Sequence, residues 1–274
     1  MTDPLISAAD LATRLDDVQI LDATYFMPAD PDRARAEFAS GHLPGARLFE
    51  IDEIADHTSP LPHMMPDAQA FGAAMAALGI DGTREVVVYD RSETHFSAPR
   101  VWFTLRLFGL TARVLDGGYG AWVAGGHPVE TGPGATTTAE PRDWQAKPGR
   151  VLAARDVSDT AQAGASILDA RSRDRFAGTA PEPRPGLSSG HMPLSACVPF
   201  SDLTGPDGRF ATPDRLRALF GSEVGDDPVV TCGSGMTACV LALGLARLVV
   251  DARLYDGSWA DWGTGAHGPI LTDA

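Results

Sequence analysis

The chain is short of positive charge, has few cysteines and lacks any long apolar run, and each shortage removes a class of function. Lys plus Arg number 22 against 36 Asp plus Glu, a formal net charge of −14. Nucleic acid and anionic lipid both require a net basic footprint, so neither is an expected partner. An anionic substrate would need local arginines that overcome the global field. The longest apolar stretch, Ala238 to Val250, is interrupted by Arg247 and is too short to span a bilayer, so it predicts a buried helix. The opening residues, MTDPLISAADLATRL, show no basic segment followed by an apolar core, which predicts no secretory signal. The three cysteines, Cys197, Cys232 and Cys239, lack the paired spacing of a zinc site, and their odd number does not suit a disulfide framework. Reduced thiols in the cytoplasm are the expectation, with no metal. What is present is apolar content: 44% of 274 residues, enough for a well-buried core.

The chain repeats itself once. ILDATYF at 20–26 recurs as ILDARSR at 167–173, SGHLPGA at 40–46 as SGHMPLS at 189–195, and DGGYGAW at 116–122 as DGSWADW at 256–262. VVVYD at 86–90 aligns with VVTCG at 229–233. Four matches in the same order mark a duplicated domain, and only two copies of this length exclude a solenoid. In each half short β-branched runs alternate with longer apolar periodic runs such as PDAQAFGAAMAALG and PDRLRALFG. That alternation predicts an α/β fold of two domains, each with a mostly parallel sheet covered by helices on both faces. The Gly-, Pro- and Thr-rich run at 131–150 reads as a linker. It places the domains at 1–134 and 151–274, with the linker proper at 135–150 and Trp144 packing on a domain surface.

Cys232 follows a strand and opens the loop CGSGMTA, after which an apolar helix begins. Glycines at 233 and 235 let the backbone curl so that N–H groups converge in an anion-binding nest, and the helix adds its positive end. Both features favour a thiolate over a thiol. Cys197, in a strand-like run, and Cys239, within the helix, read as core residues. A cysteine phosphatase would carry an arginine six residues after its nucleophile; Ala238 stands there, which excludes that chemistry.

The duplicated halves, the CGSGMTA loop and the DGSWADW ending resemble the tandem rhodanese family, and within it the 3-mercaptopyruvate sulfurtransferases, from about residue 5 to residue 265. The resemblance implies two rhodanese-like domains with the catalytic cysteine, Cys232, in the second. Asp90 takes the cysteine's place in the first. It also implies a donor loop built of Gly233, Ser234, Gly235, Met236 and Thr237, uncharged as in mercaptopyruvate enzymes, with Met236 where relatives usually carry valine. Arg175 and Arg184 match the two arginines that grip the donor's carboxylate and keto oxygen. Asp52, His63 and Ser234 match a group that moves protons between thiol and leaving enolate. His42 and His191, in the repeated GHxP turn, and Asp116 and Asp256 recur in both halves and read as structural, as Arg171 and Arg173 do. The implied reaction passes sulfur from 3-mercaptopyruvate through a persulfide to a thiol, thioredoxin among them, or to cyanide, without an organic cofactor. The alternatives are a thiosulfate:cyanide sulfurtransferase on the same scaffold and a non-catalytic persulfide relay.

Overall fold

The computed structural model describes residues 3–92, 94–221 and 224–273. Its packing divides the chain into two compact units. The first holds Met1–Asp56, Met65–Lys147 and Gly205–Phe210; the second holds His57–Met64, Pro148–Thr204 and Ala211–Ala274. Two short segments thus group with the half of the chain that does not contain them in sequence.

Each unit is built on one five-stranded sheet. The strands of the first are β1 (Leu5–Ile6), β2 (Val18–Asp22), β3 (Arg47–Leu48), β4 (Glu85–Tyr89) and β5 (Ala112–Leu115). Those of the second are β6 (Val151–Leu152), β7 (Ile167–Asp169), β8 (Ser195–Cys197), β9 (Val229–Thr231) and β10 (Arg253–Tyr255). The orders are β1-β5-β4-β2-β3 and β6-β10-β9-β7-β8, and every pairing is parallel. Adding five to each label converts one sheet into the other, so the duplication read from the motifs is a duplication of topology. All five residues of β2 are buried, as are the last four of β4, which is what a parallel strand covered on both faces requires. The helix Ala68–Ala77 starts where Asp67 accepts from the Ala70 amide, and the helix Pro213–Phe220 starts where Thr212 accepts from Arg215. The run 131–147 lies along the first unit: Trp144 meets Phe71 edge-on at 5.7 Å, and the Lys147 amide donates to the Leu107 carbonyl at 2.8 Å.

The halves share buried fittings that explain their repeated motifs. His42 stacks on Phe38 and His191 on Phe176, each pair 4.1 Å apart, and each histidine's Nδ1 bonds its partner's carbonyl. A guanidinium socket also recurs, but it is filled from different chain positions. In the second unit Arg171 bonds Asp169 at 2.7 Å and the Gly190 carbonyl at 2.8 Å, and lies 3.9 Å over the Trp259 ring. In the first unit Thr24 stands at the matching place, and Arg91 bonds Asp22 at 3.0 Å and the Gly41 carbonyl at 2.7 Å, over Tyr119. A buried carboxylate left without its arginine would be costly, so each unit supplies one by whatever route its sequence allows.

Asp90 is fully buried; the sheets pair Asp22 with Tyr89 and Asp169 with Thr231, so Asp90 stands at the Cys232 position, one residue away from the motif alignment of 86–90 with 229–233, which sets it against Gly233. One of its oxygens accepts from the amides of Ser97 and Ala98, at 3.0 and 2.8 Å, and from the Ser97 hydroxyl. The other lies 2.8 Å from His95 Nδ1. A carboxylate therefore fills the anion position at the start of the helix Ser97–Leu107 from within. Burial opposes protonation of His95, but the hydrogen bond and charge of Asp90, with Asp116 behind it, outweigh that and hold its pKa above 6.5. With the folded pKa raised, the pair stabilises the fold fully below the unfolded value and loses that contribution as pH rises through the folded one. His95→Gln is therefore expected to flatten the decline in thermal midpoint between about pH 6 and pH 8. Equal declines in variant and wild type would contradict this.

Candidate active site

Residues 232–237 form the loop between β9 and the helix Ala238–Arg247, which is buried over Ala238–Leu245. Cys232 is 2% exposed, and Ser234, Met236 and Thr237 are buried beside it. Gly235 adopts φ +76°, where a side chain would be strained. The loop is clamped by the turn 257–260: the Trp259 amide donates to the Cys232 carbonyl and the Ala260 amide to the Gly233 carbonyl, both at 2.9 Å.

At the centre of the clamp is Ser258. Its hydroxyl oxygen accepts from the Cys232 and Gly235 amides, each at 3.1 Å, and from Thr231 Oγ1 at 3.2 Å, while donating to the Tyr255 carbonyl at 2.8 Å. Two of the loop's amides are thus directed at Ser258 and not at the sulfur, which narrows the nest expected from the glycine spacing. Ser258 holds φ +50° and is fully buried; its counterpart in the first unit is Gly118, at φ +55°. A non-glycine residue in that region is strained, and four hydrogen bonds offset the strain. In the sequence Ser258 is marked only by serine against glycine at one position of the repeated DGGYGAW and DGSWADW motifs. Ser258→Ala removes the hydroxyl oxygen that accepts from the buried Cys232 and Gly235 amides and should lower the unfolding free energy by about 1–3 kcal/mol. Urea denaturation checks this; a change below about 0.5 kcal/mol would contradict it.

Both candidate substrate arginines reach the loop. A Cβ placed on Gly233 would stand 3.2 Å from Arg175 Nη2 and 3.9 Å from Arg184 Nη1. The residue after Cys232 therefore faces two guanidiniums, and a basic side chain there would meet like charge. Arg175 lies on the helix Arg173–Ala177 and is held by Glu182, Nη2 to Oε2 at 2.5 Å and Nε to Oε1 at 3.2 Å. Glu182 Oε1 also accepts from Arg171 at 2.8 Å. Arg173 is exposed and pairs with Asp202.

The proton-transfer candidates divide between the units. Asp52 belongs to the first, where the Tyr25 hydroxyl donates to it at 2.9 Å. His63, at φ +61°, lies on the segment that groups with the second unit, as Ser234 does. The other cysteines differ from Cys232. Cys239 donates to the Gly235 carbonyl at 3.4 Å from inside the helix. Burial, with the charge of Asp169 behind it, pushes the Cys197 thiol up to about 11.

A rhodanese-like domain model matches residues 7–125, the half without the cysteine. The 3-mercaptopyruvate sulfurtransferase of Escherichia coli K12 is 40% identical over 97% of this chain and 96% of its own length. The human enzyme of the same name is 40% identical over 89% of this chain and 84% of its own. The thiosulfate/3-mercaptopyruvate sulfurtransferase 1 of Arabidopsis thaliana mitochondria is 38% identical over 98% of this chain and 78% of its own. Among solved structures, the E. coli 3-mercaptopyruvate sulfurtransferase SseA superimposes with a TM-score of 0.83 at 38% identity, over 94% of this chain and 99% of that one. With the same order of parallel strands in both units and relatives matched across nearly its full length, the chain belongs to the two-domain rhodanese family of sulfurtransferases.

Proposed function

We propose that the chain transfers sulfur from 3-mercaptopyruvate to a thiol or cyanide through a persulfide on Cys232, releasing pyruvate. The observation that carries this reading is the pair of guanidiniums, Arg175 and Arg184, at the residue that follows a buried cysteine. A small α-keto acid offers a planar carboxylate and a carbonyl oxygen, which planar guanidiniums hold in a defined orientation.

In this mechanism the Cys232 thiolate attacks the donor sulfur. An S–S bond forms, the donor C–S bond breaks, and its electron pair leaves on carbon as the enolate of pyruvate. Asp52, His63 and Ser234 deliver the proton that converts enolate to pyruvate. An acceptor thiolate or cyanide then attacks the outer sulfur and restores the Cys232 thiolate, so kinetics are ping-pong. Gly233 and Gly235, lacking side chains, leave room for the donor to approach, and the buried Met236 and Thr237 complete the loop that carries Cys232. The first domain (1–134) is non-catalytic because Asp90 stands where the sulfur would be, and the second (151–274) carries the reaction. A cytoplasmic setting, with thioredoxin among the acceptors, fits three free thiols. Among the described residues no helix is long and apolar enough to cross a membrane.

Thiosulfate as a second donor is favoured by the names of the two Arabidopsis relatives, both at 38% identity. Steady-state kinetics with the two donors test the reading. The expected kcat/KM for 3-mercaptopyruvate exceeds that for thiosulfate by at least about tenfold, and a preference for thiosulfate would overturn it.

A further inference from the structure

Resting on the keto-acid reading above, we propose that Glu182 is a specificity-determining residue that sets the charge of the donor site to accept a monoanion and disfavour a dianion. Its side chain is 2% exposed and bonds two arginines at once, Arg171 and Arg175. Arg171 is also paired with Asp169, and both of those side chains are buried. Two carboxylates, Asp169 and Glu182, therefore balance two guanidiniums, Arg171 and Arg175, and the formal sum of the four is zero. Among the described residues Arg184 has no carboxylate partner, so it is the one uncompensated charge at Gly233.

The consequence is chemical. Glu182 takes the Nε–Nη2 edge of Arg175, leaving Nη1 to meet a donor. A 3-mercaptopyruvate carboxylate brings one negative charge and can be matched by Arg184, with Arg175 orienting the carbonyl oxygen. Thiosulfate brings two charges to a site whose arginines and carboxylates sum to plus one, a charge that the Cys232 thiolate already offsets, close to a buried carboxylate that repels it. In surroundings of low dielectric an unscreened like charge a few ångströms away discriminates strongly. Two arginines beside a cysteine would, without Glu182, suit a dianion well. Glu182 has no contact with the sulfur and acts through Arg175.

The test compares wild type, Glu182→Gln and Glu182→Asp as full chains, measuring kcat/KM for both donors. The Gln variant should raise the thiosulfate-to-mercaptopyruvate ratio about tenfold, whereas the Asp variant, which keeps the charge, should leave it within about twofold. A merely structural role would lower both donors in parallel in both variants; that result, or an unchanged ratio in Glu182→Gln, overturns the proposal. If wild type fails to use 3-mercaptopyruvate while Glu182→Gln still gains thiosulfate activity, the donor reading falls and the charge assignment stands. Should the variants not fold, wild type supplies the test through protection of Cys232 from iodoacetamide. Pyruvate should protect at concentrations about tenfold below those of sulfate. Better protection by sulfate overturns the proposal.

Discussion

Replacing Cys232 with serine is expected to lower sulfur transfer by more than about a thousandfold, because serine cannot form the persulfide on which both half-reactions depend. The substitution changes one atom in a site that is 2% exposed, and the clamp through Ser258 and Trp259 engages residue 232 only through its backbone amide and carbonyl. The fold should therefore survive, which circular dichroism and the thermal midpoint check. Cys239→Ser keeps a donor toward the Gly235 carbonyl and should retain activity within about threefold. Cys197→Ser should do the same, since a thiol held up to about 11 is protonated at neutral pH and is a poor nucleophile. Loss of activity in either of these variants with Cys232 intact would move the nucleophile elsewhere.

The second large effect is expected at Arg184. It reaches Gly233 and, among the described residues, has no carboxylate partner of its own, so its charge is available to a donor. Arg184→Ala should reduce kcat/KM for 3-mercaptopyruvate by about ten- to a hundredfold, the cost of one charge-assisted hydrogen-bonding partner at about 1.5–3 kcal/mol. Thiosulfate turnover should fall less, because it has no keto-acid geometry to lose, so the donor ratio should shrink. Arg184→Lys keeps the charge but not the planar fork, and should recover only part of the loss. Equal damage to both donors in Arg184→Ala would show that the residue is not selective for the keto acid.

The duplicated α/β architecture was legible because the repeated segments are short strands and the turns after them, where side chains are constrained by the backbone. The β-branched run VVVYD at 86–90 reads as a strand of a parallel sheet, and β4 (Glu85–Tyr89) is one, with its last four residues buried. The CGSGMTA loop was legible for the same reason: glycines after a strand and before an apolar helix have few uses. What escaped the sequence depends on contacts between residues far apart in the chain. Ser258 bonds amides 23 and 26 residues upstream, and no local pattern predicts such a bond. Glu182 reads as an ordinary loop acid until Arg171 and Arg175 are seen to converge on it. Arg91 escaped because the socket it fills is supplied from another chain position in the duplicate, so motif alignment pairs the wrong residues. The segments 57–64 and 205–210 group with the opposite unit, which covalent order alone argues against.

The persulfide itself is open to direct measurement. The full chain is mixed with excess 3-mercaptopyruvate, without an acceptor, and pyruvate and the mass of each cysteine peptide are followed through a single turnover. One pyruvate per chain should appear in a burst, and the peptide containing Cys232, alone among the cysteine peptides, should gain one sulfur, about 32 Da. Added cyanide should return that peptide to its original mass. Added sulfur on the peptide of Cys197 or Cys239, or pyruvate released with no mass gain at Cys232, would contradict the mechanism.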